Sequence, residues 1–262
     1  MICAGESSRN RVTQERMAPL RLYVLSLRYS SWSMRPWLAL KHAGANVSVE
    51  TVETDLSKRN PNDPTDAASE KTGEKLAERR KAGSVTGLFP VLHVGDTAIH
   101  ESLAICEWTN EAFPAAHLWP AESLARAWAR AISCEMLSGF ANIRTHLSCH
   151  LFGRVPSMTL DAATKAEVAR VFELWEDALQ RSGGPFLFGH FSIADCLYYP
   201  MRSRFRTYGV ALPPNLQAYA EALDDAPAVR ALIEVARNAP RIPVYDEYLR
   251  SVGGEPDAAL AG

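Results

Sequence analysis

Apolar and polar positions alternate in two short stretches near the start of the chain, and between them the period changes. Leu20-Arg21-Leu22-Tyr23-Val24-Leu25 reads as a strand, and Val47-Ser48-Val49-Glu50-Thr51-Val52 alternates as a second. The intervening Tyr29-Ser30-Ser31-Trp32-Ser33-Met34-Arg35-Pro36-Trp37-Leu38-Ala39-Leu40 reads as the start of a helix, with Gly44 placed to close it. Val91–Val94 and Thr97–His100, joined by Gly95-Asp96, read as a hairpin, and a helix follows from Ser102 to about Ala112. Beyond Phe113-Pro114 and Trp119-Pro120 the strand signal disappears. Leu124, Trp128, Ile132, Met136, Phe140, Ile143 and Leu147 space one long helix from Glu122 to Leu151. Asp161 to Gln180 reads as another, stopped by Gly183-Gly184. A mixed half followed by a helical half predicts an α+β protein of two domains.

Three segments fall outside that pattern. Residues 1–18 read as a tail, with Met17 just before the first strand as a second possible start. Residues 57–84 are rich in charge and turn formers, and predict a loop and then a polar surface helix ending at Gly83. Residues 251–262 read as a closing tail. The expected division is therefore 19–113 for the first domain, 114–121 for a linker and 122–250 for the helical domain.

Composition narrows the classes. The 262 residues carry a net charge of −2 and are 47% hydrophobic. No basic footprint for nucleic acid and no apolar run of membrane-spanning length is apparent. The first residues lack the charged start and apolar core of a signal peptide. Five cysteines without a C-x-x-C pair fit a reducing cytoplasm better than a disulfide framework. No Gly-rich phosphate loop, H-E-x-x-H or G-x-S-x-G occurs. His146 and His150 are four apart and would share a helix face, but no third ligand accompanies them, so no metal is expected.

Candidate chemistry gathers at three places. In Tyr29-Ser30-Ser31-Trp32-Ser33 a serine at a strand-to-helix junction can cap the helix, or offer its hydroxyl to a thiolate that the helix N-terminus also favours. Phe89-Pro90 enters a strand, where a cis peptide would turn the backbone groups of Phe89 outward. Glu101-Ser102 opens a helix whose free N–H groups attract a carboxylate. Together these parts suit a small peptide with free α-amino and α-carboxyl groups. Ser192-Ile193-Ala194-Asp195 is a capping box, a structural feature and not a catalytic one.

This arrangement resembles the glutathione transferase family over about residues 20–245. The order of elements up to the linker is similar to the thioredoxin-like plan, and the helical half to the family's second domain. The Tyr29–Arg35 segment resembles those of zeta-class and allied bacterial serine-type members. Matched on the arginine, Ser30 falls on the zeta catalytic serine and Trp32 on the zeta cysteine. The resemblance implies glutathione as co-substrate, bound by Ser30, Ser31, Trp32, Phe89, Pro90, Glu101 and Ser102. Ser30 would be the thiol-activating residue, with Ser31, Ser33 or Tyr29 as substitutes. It implies attack on, or isomerisation of, a small apolar electrophile held by the helical domain, in a cytoplasmic homodimer. Trp32 at the cysteine position weakens maleylacetoacetate isomerase as the specific activity. Leu88 stands where relatives often carry a lysine for the glycyl carboxylate, leaving Lys58, Arg79 and Arg80 as candidates. The rival reading is a non-catalytic transferase-fold module that binds a protein partner.

Overall fold

The structure, a computed structural model, describes residues 18–52, 73–81 and 83–258. Four strands form one sheet: β1 (Leu20–Val24), β2 (Val47–Thr51), β3 (Val91–Val94) and β4 (Thr97–His100), in the order β2-β1-β3-β4. β1 runs parallel to β2 and antiparallel to β3, and β3 pairs antiparallel with β4. The alternation of β1 has the expected result: Leu20, Leu22 and Val24 are buried while Arg21 faces water.

Helix α1 (Ser31–His42) connects β1 to β2. It ends in a Schellman motif: Gly44 sits at φ +69° and donates to Lys41 O, while Ala45 donates to Leu40 O. Helix α2 (Gly73–Lys81) precedes β3, and α3 (Ser102–Ala112) follows β4. Arg79, though on a polar helix, is buried and donates to the Gly87 carbonyl at 2.8 Å.

The remaining elements are helical: α4 (Ser123–Ser138), α5 (Ala141–His146), α6 (Ala162–Ser182), α7 (Ile193–Thr207), α8 (Gln217–Asp225), α9 (Pro227–Arg237) and α10 (Pro243–Ser251). α7 is the central one, buried on nearly every face and packed against both α1 and α4. Its start is the expected capping box: Asp195 accepts the Ser192 N–H and hydroxyl, and also the Leu187 N–H, at 2.8–3.2 Å. Trp175 of α6, fully buried, is ringed by Tyr198, Phe205 and Tyr219.

Two expectations are corrected. The long helix over Glu122–Leu151 is broken, because α4 stops at Ser138 and Phe140 adopts φ +60° before α5 begins. A Cβ at Gly139 would lie 2.8 Å from the Glu135 carbonyl oxygen, so the break depends on glycine there. Arg144 seals it, donating to Gly139 O and Met136 O and so satisfying carbonyls freed at the end of α4. Residues 251–258 are not a loose tail. Arg154 and Glu255 exchange backbone hydrogen bonds, and Asp257 pairs with Arg28 and Arg241.

Candidate active site

Strand register brings the three motifs to one edge of the sheet. Val91, the first residue of β3, pairs with Tyr23 near the end of β1 and with His100 at the end of β4. Phe89-Pro90 therefore lies beside both the turn that follows β1 and the Glu101-Ser102 step that follows β4. The Phe89-Pro90 peptide is cis, and Ser84 Oγ donates to the Leu88 carbonyl at 2.5 Å in the approach to it.

Burial separates the serines of the first turn. Ser31 and Ser33 are 5% and 0% exposed, whereas Ser30 is part-exposed. Ser30 is the N-cap of α1, its Oγ accepting from the Ser33 N–H at 3.3 Å. The same hydroxyl donates to Ser33 Oγ at 2.9 Å, and Ser33 Oγ accepts from the Leu25 N–H. Ser30 thus combines access with the positive end of a helix, and Ser33 holds its rotamer.

Tyr29 is unsuited to the substitute role expected of it. It is 2% exposed and its hydroxyl donates to Asp246 Oδ1 at 2.7 Å. Burial, followed by the bond to Asp246 and the charge of that carboxylate, pushes its phenol well above the ordinary range.

Trp32 is 38% exposed on the first turn of α1, its ring packed by the guanidinium groups of Arg35 at 4.4 Å and Arg144 at 5.2 Å. Its carbonyl links two helix N-termini. Pro36, four residues on, has no N–H to donate to it. Ser102 Oγ donates to that carbonyl instead, at 2.8 Å. Ser102 is buried, so its hydroxyl proton is committed within the protein. Glu101, by contrast, is exposed, makes no side-chain capping bond, and stands at φ +68°, ψ 132°. The sequence holds the signal for the Ser102 contact in Pro36, but the proline gains meaning only when α3 is seen against α1.

Arg35 stands three residues after Trp32 on α1. It is fully buried where α1 meets the helical half, donating to Leu197 O at 3.3 Å with Met136 Sδ also at 3.3 Å. Burial, then the charges of Arg144 and Arg204, drive its pKa well down. Burial, then the charge of Arg204, lowers Arg144 to about 10. Of the three candidates for the glycyl carboxylate, Arg79 is engaged with the Gly87 loop, Arg80 donates to Val85 O and Lys58 lies outside the described residues. His146 and His150 do not share a face: α5 ends at His146, which meets Thr164, while His150 meets Asp246. Among the described residues no three His, Cys, Asp or Glu side chains group as a metal site.

A sheet of this topology, with a hydroxyl-capped helix, a cis-proline strand and an acid-serine helix start at one edge, defines a thioredoxin-like protein with an attached helical domain. Family models agree. Residues 29–112 match the glutathione S-transferase N-terminal domain and residues 160–234 the C-terminal domain, together more than half of the chain. The chain belongs to the glutathione S-transferase family. A probable maleylacetoacetate isomerase of Caenorhabditis elegans is 29% identical over 201 residues, 76% of this chain and 85% of that protein. Among solved structures, a glutathione transferase homologue from Burkholderia GL BGR1 with bound glutathione superposes with a TM-score of 0.58 at 24% identity, covering 85% of this chain and 99% of that one. Maleyl pyruvate isomerase, a bacterial zeta-class transferase, superposes at 0.57 with 23% identity, covering 81% and 95%.

Proposed function

We propose that this protein activates the thiol of glutathione for attack on, or isomerisation of, a small electrophile. The two halves divide the work: residues 19–113 hold the tripeptide and residues 122–250 the electrophile. The observation that carries the reading is Ser30, a part-exposed hydroxyl at a helix N-terminus, beside the start of α3 and the Phe89-Pro90 step.

The roles follow from donor and acceptor inventory. With its hydroxyl proton on Trp32, Ser102 offers the γ-glutamyl carboxylate its backbone N–H at the start of α3. Glu101, exposed and free of capping duty, suits the α-ammonium group. Phe89 offers backbone groups to the cysteinyl residue. Ser31 and Trp32 shape the turn around the thiol, Ser31 as buried support and Trp32 as the wall toward the helical half. A hydrogen bond from Ser30 to the thiolate, its hydroxyl proton turning to the sulfur from Ser33 Oγ, favours ionisation together with the dipole of α1; a pKa lowered by two corresponds to about 2.7 kcal/mol.

The buried Cys106, Cys149 and Cys196 and the exposed Cys134 are all free, which suits the cytoplasm as the proposed compartment. A homodimer is proposed on the family resemblance, and sedimentation would test it. Members named as isomerases keep that chemistry open beside transfer, and the apolar character of the electrophile remains part of the proposal.

Glutathione is expected to raise the melting temperature, by about 2.7 kcal/mol of stabilisation at one hundred times Kd. Ser30→Ala should cut turnover about ten- to a hundredfold near pH 7, with glutathione affinity within a few-fold and a smaller loss at high pH. Thiolate absorbance of bound glutathione against pH decides the matter. An unmoved titration in Ser30→Ala would remove Ser30 from the role.

A further inference from the structure

The turn that presents Ser30 is held from behind by residues 237–257. Tyr29, the residue before Ser30, stacks on Tyr245 with ring centres 5.1 Å apart and meets the edge of His150 at 4.9 Å. Its hydroxyl donates to Asp246 Oδ1 at 2.7 Å. The buried Asp246 also receives His150 Nε2 at 2.9 Å and Arg241 Nη1 at 2.8 Å. Burial alone would raise that carboxyl. The bonds from His150, Tyr29 and Arg241 outweigh burial and bring its pKa down to about 2.

Neighbouring residues of the turn are tied to the same segment. Ser26 Oγ donates to Pro240 O at 2.6 Å. Arg28 pairs with Asp257 and donates to Arg237 O at 3.4 Å, while its own carbonyl accepts the Leu151 N–H at 3.1 Å. Inside the turn, the N–H groups of Tyr29 and Ser30 both converge on Ser26 O. The backbone from Ser26 to Ser30 is therefore fixed from outside at Ser26, Arg28 and Tyr29, and Asp246 is the charged centre of that fixation. A hydroxyl bond to a thiolate is directional, and small misplacement of a reacting geometry is costly.

We propose that Asp246 is a positioning residue for thiol activation: through Tyr29 it sets the turn that aims the Ser30 hydroxyl. The inference rests on the Ser30 reading above. Asp246 is buried and 217 positions away from Tyr29 in sequence.

The test uses the full-length protein with glutathione, and chlorodinitrobenzene as probe electrophile. Asp246→Asn keeps shape and removes the charge; Tyr29→Phe keeps the ring and removes the bond to Asp246. Each is expected to lower kcat about three- to tenfold and to move the bound-thiolate titration toward higher pH. KM for glutathione should stay within about twofold, because Glu101, Ser102 and Phe89 lie on other elements. Val168→Ala, a buried change on α6, serves as a stability control that should lower the melting temperature without moving the titration. If Asp246 acts through Ser30, the double variant Ser30→Ala with Asp246→Asn should turn over no more slowly than Ser30→Ala alone. Multiplying losses in the double variant would overturn the proposal. So would a Tyr29→Phe protein whose titration and kcat match wild type while only its melting temperature falls. If Asp246→Asn does not fold, Tyr29→Phe and its own pairing with Ser30→Ala carry the same comparison. Failure of the Ser30 reading is separately visible, since Ser30→Ala alone would then leave the titration in place, and the positioning proposal would fall with it.

Discussion

Glu101 holds a backbone conformation that its side chain resists. At φ +68° and ψ 132° a residue with a Cβ carries about 1–3 kcal/mol of strain, which glycine would largely escape. The Glu101→Gly protein is accordingly expected to be at least as stable as wild type in thermal melts, with a gain of a few degrees at most. Its glutathione affinity should nevertheless fall at least tenfold by calorimetry, since the carboxylate proposed for the α-ammonium is gone. A variant that loses stability and keeps affinity would contradict both halves of this account. Ser30, one strand away, shows how far a single residue type can be read unaided. A serine at a strand-to-helix junction is an N-cap on sequence grounds, and so it proves. Its exposure relative to Ser31 and Ser33 depends on packing that the local sequence does not encode. Tyr29 shows the opposite case: nothing beside it in the sequence announces a partner 217 positions away.

Between elements, the contact of α1 with α3 depends on a missing donor. Pro36 leaves the Trp32 carbonyl without its intrahelical partner, and Ser102 supplies the replacement. Ser102→Ala should therefore cost about 1 kcal/mol in the native sequence, and clearly less in a Pro36→Ala background, where an N–H becomes available. Chemical denaturation of the four proteins of that cycle gives the coupling directly. The same level shows why periodicity alone joins α4 and α5 into one helix. Apolar residues stay in helical phase from Leu124 to Leu147, so periodicity alone runs straight through Gly139. Only the glycine signals the break, and its meaning emerges with Phe140 at positive φ and Arg144 bound across the gap. The strands and the Asp195 box were legible because their signals are local, an alternation or a four-residue motif. The C-terminal helix, by contrast, reads as any amphipathic helix.

For the molecule as a whole, two buried carboxylates act in opposite senses with pH. Burial, only partly countered by bonds from Ser192 and Leu187, raises Asp195 from 3.8 to about 6. Its contribution is full below about pH 4 and is lost as pH rises through about 6, a change of roughly 3 kcal/mol. Asp246, lowered from 3.8 to about 2, contributes fully above about pH 4 and is lost as pH falls toward 2. The stability advantage of wild type over Asp195→Asn in urea should therefore shrink between pH 4 and pH 7, and that over Asp246→Asn should shrink below pH 4. Stability differences that stay constant with pH would show that neither burial nor the Asp246 bonds set these ionisations.

The tie between Tyr29 and Asp246 also has a consequence for the order of assembly. Residues 26–30 leave the ribosome 209 to 229 residues ahead of their partners at Arg237, Pro240, Asp246 and Asp257. Contacts of such sequence separation close late, because loop closure precedes any reward from them. The β1–β2 pair and the helices can form as their own residues emerge, while the turn that bears Ser30 waits for residues 237–257. In refolding experiments, far-ultraviolet circular dichroism should recover before the ability to ionise bound glutathione. A newly made chain would thus have its architecture before its chemistry.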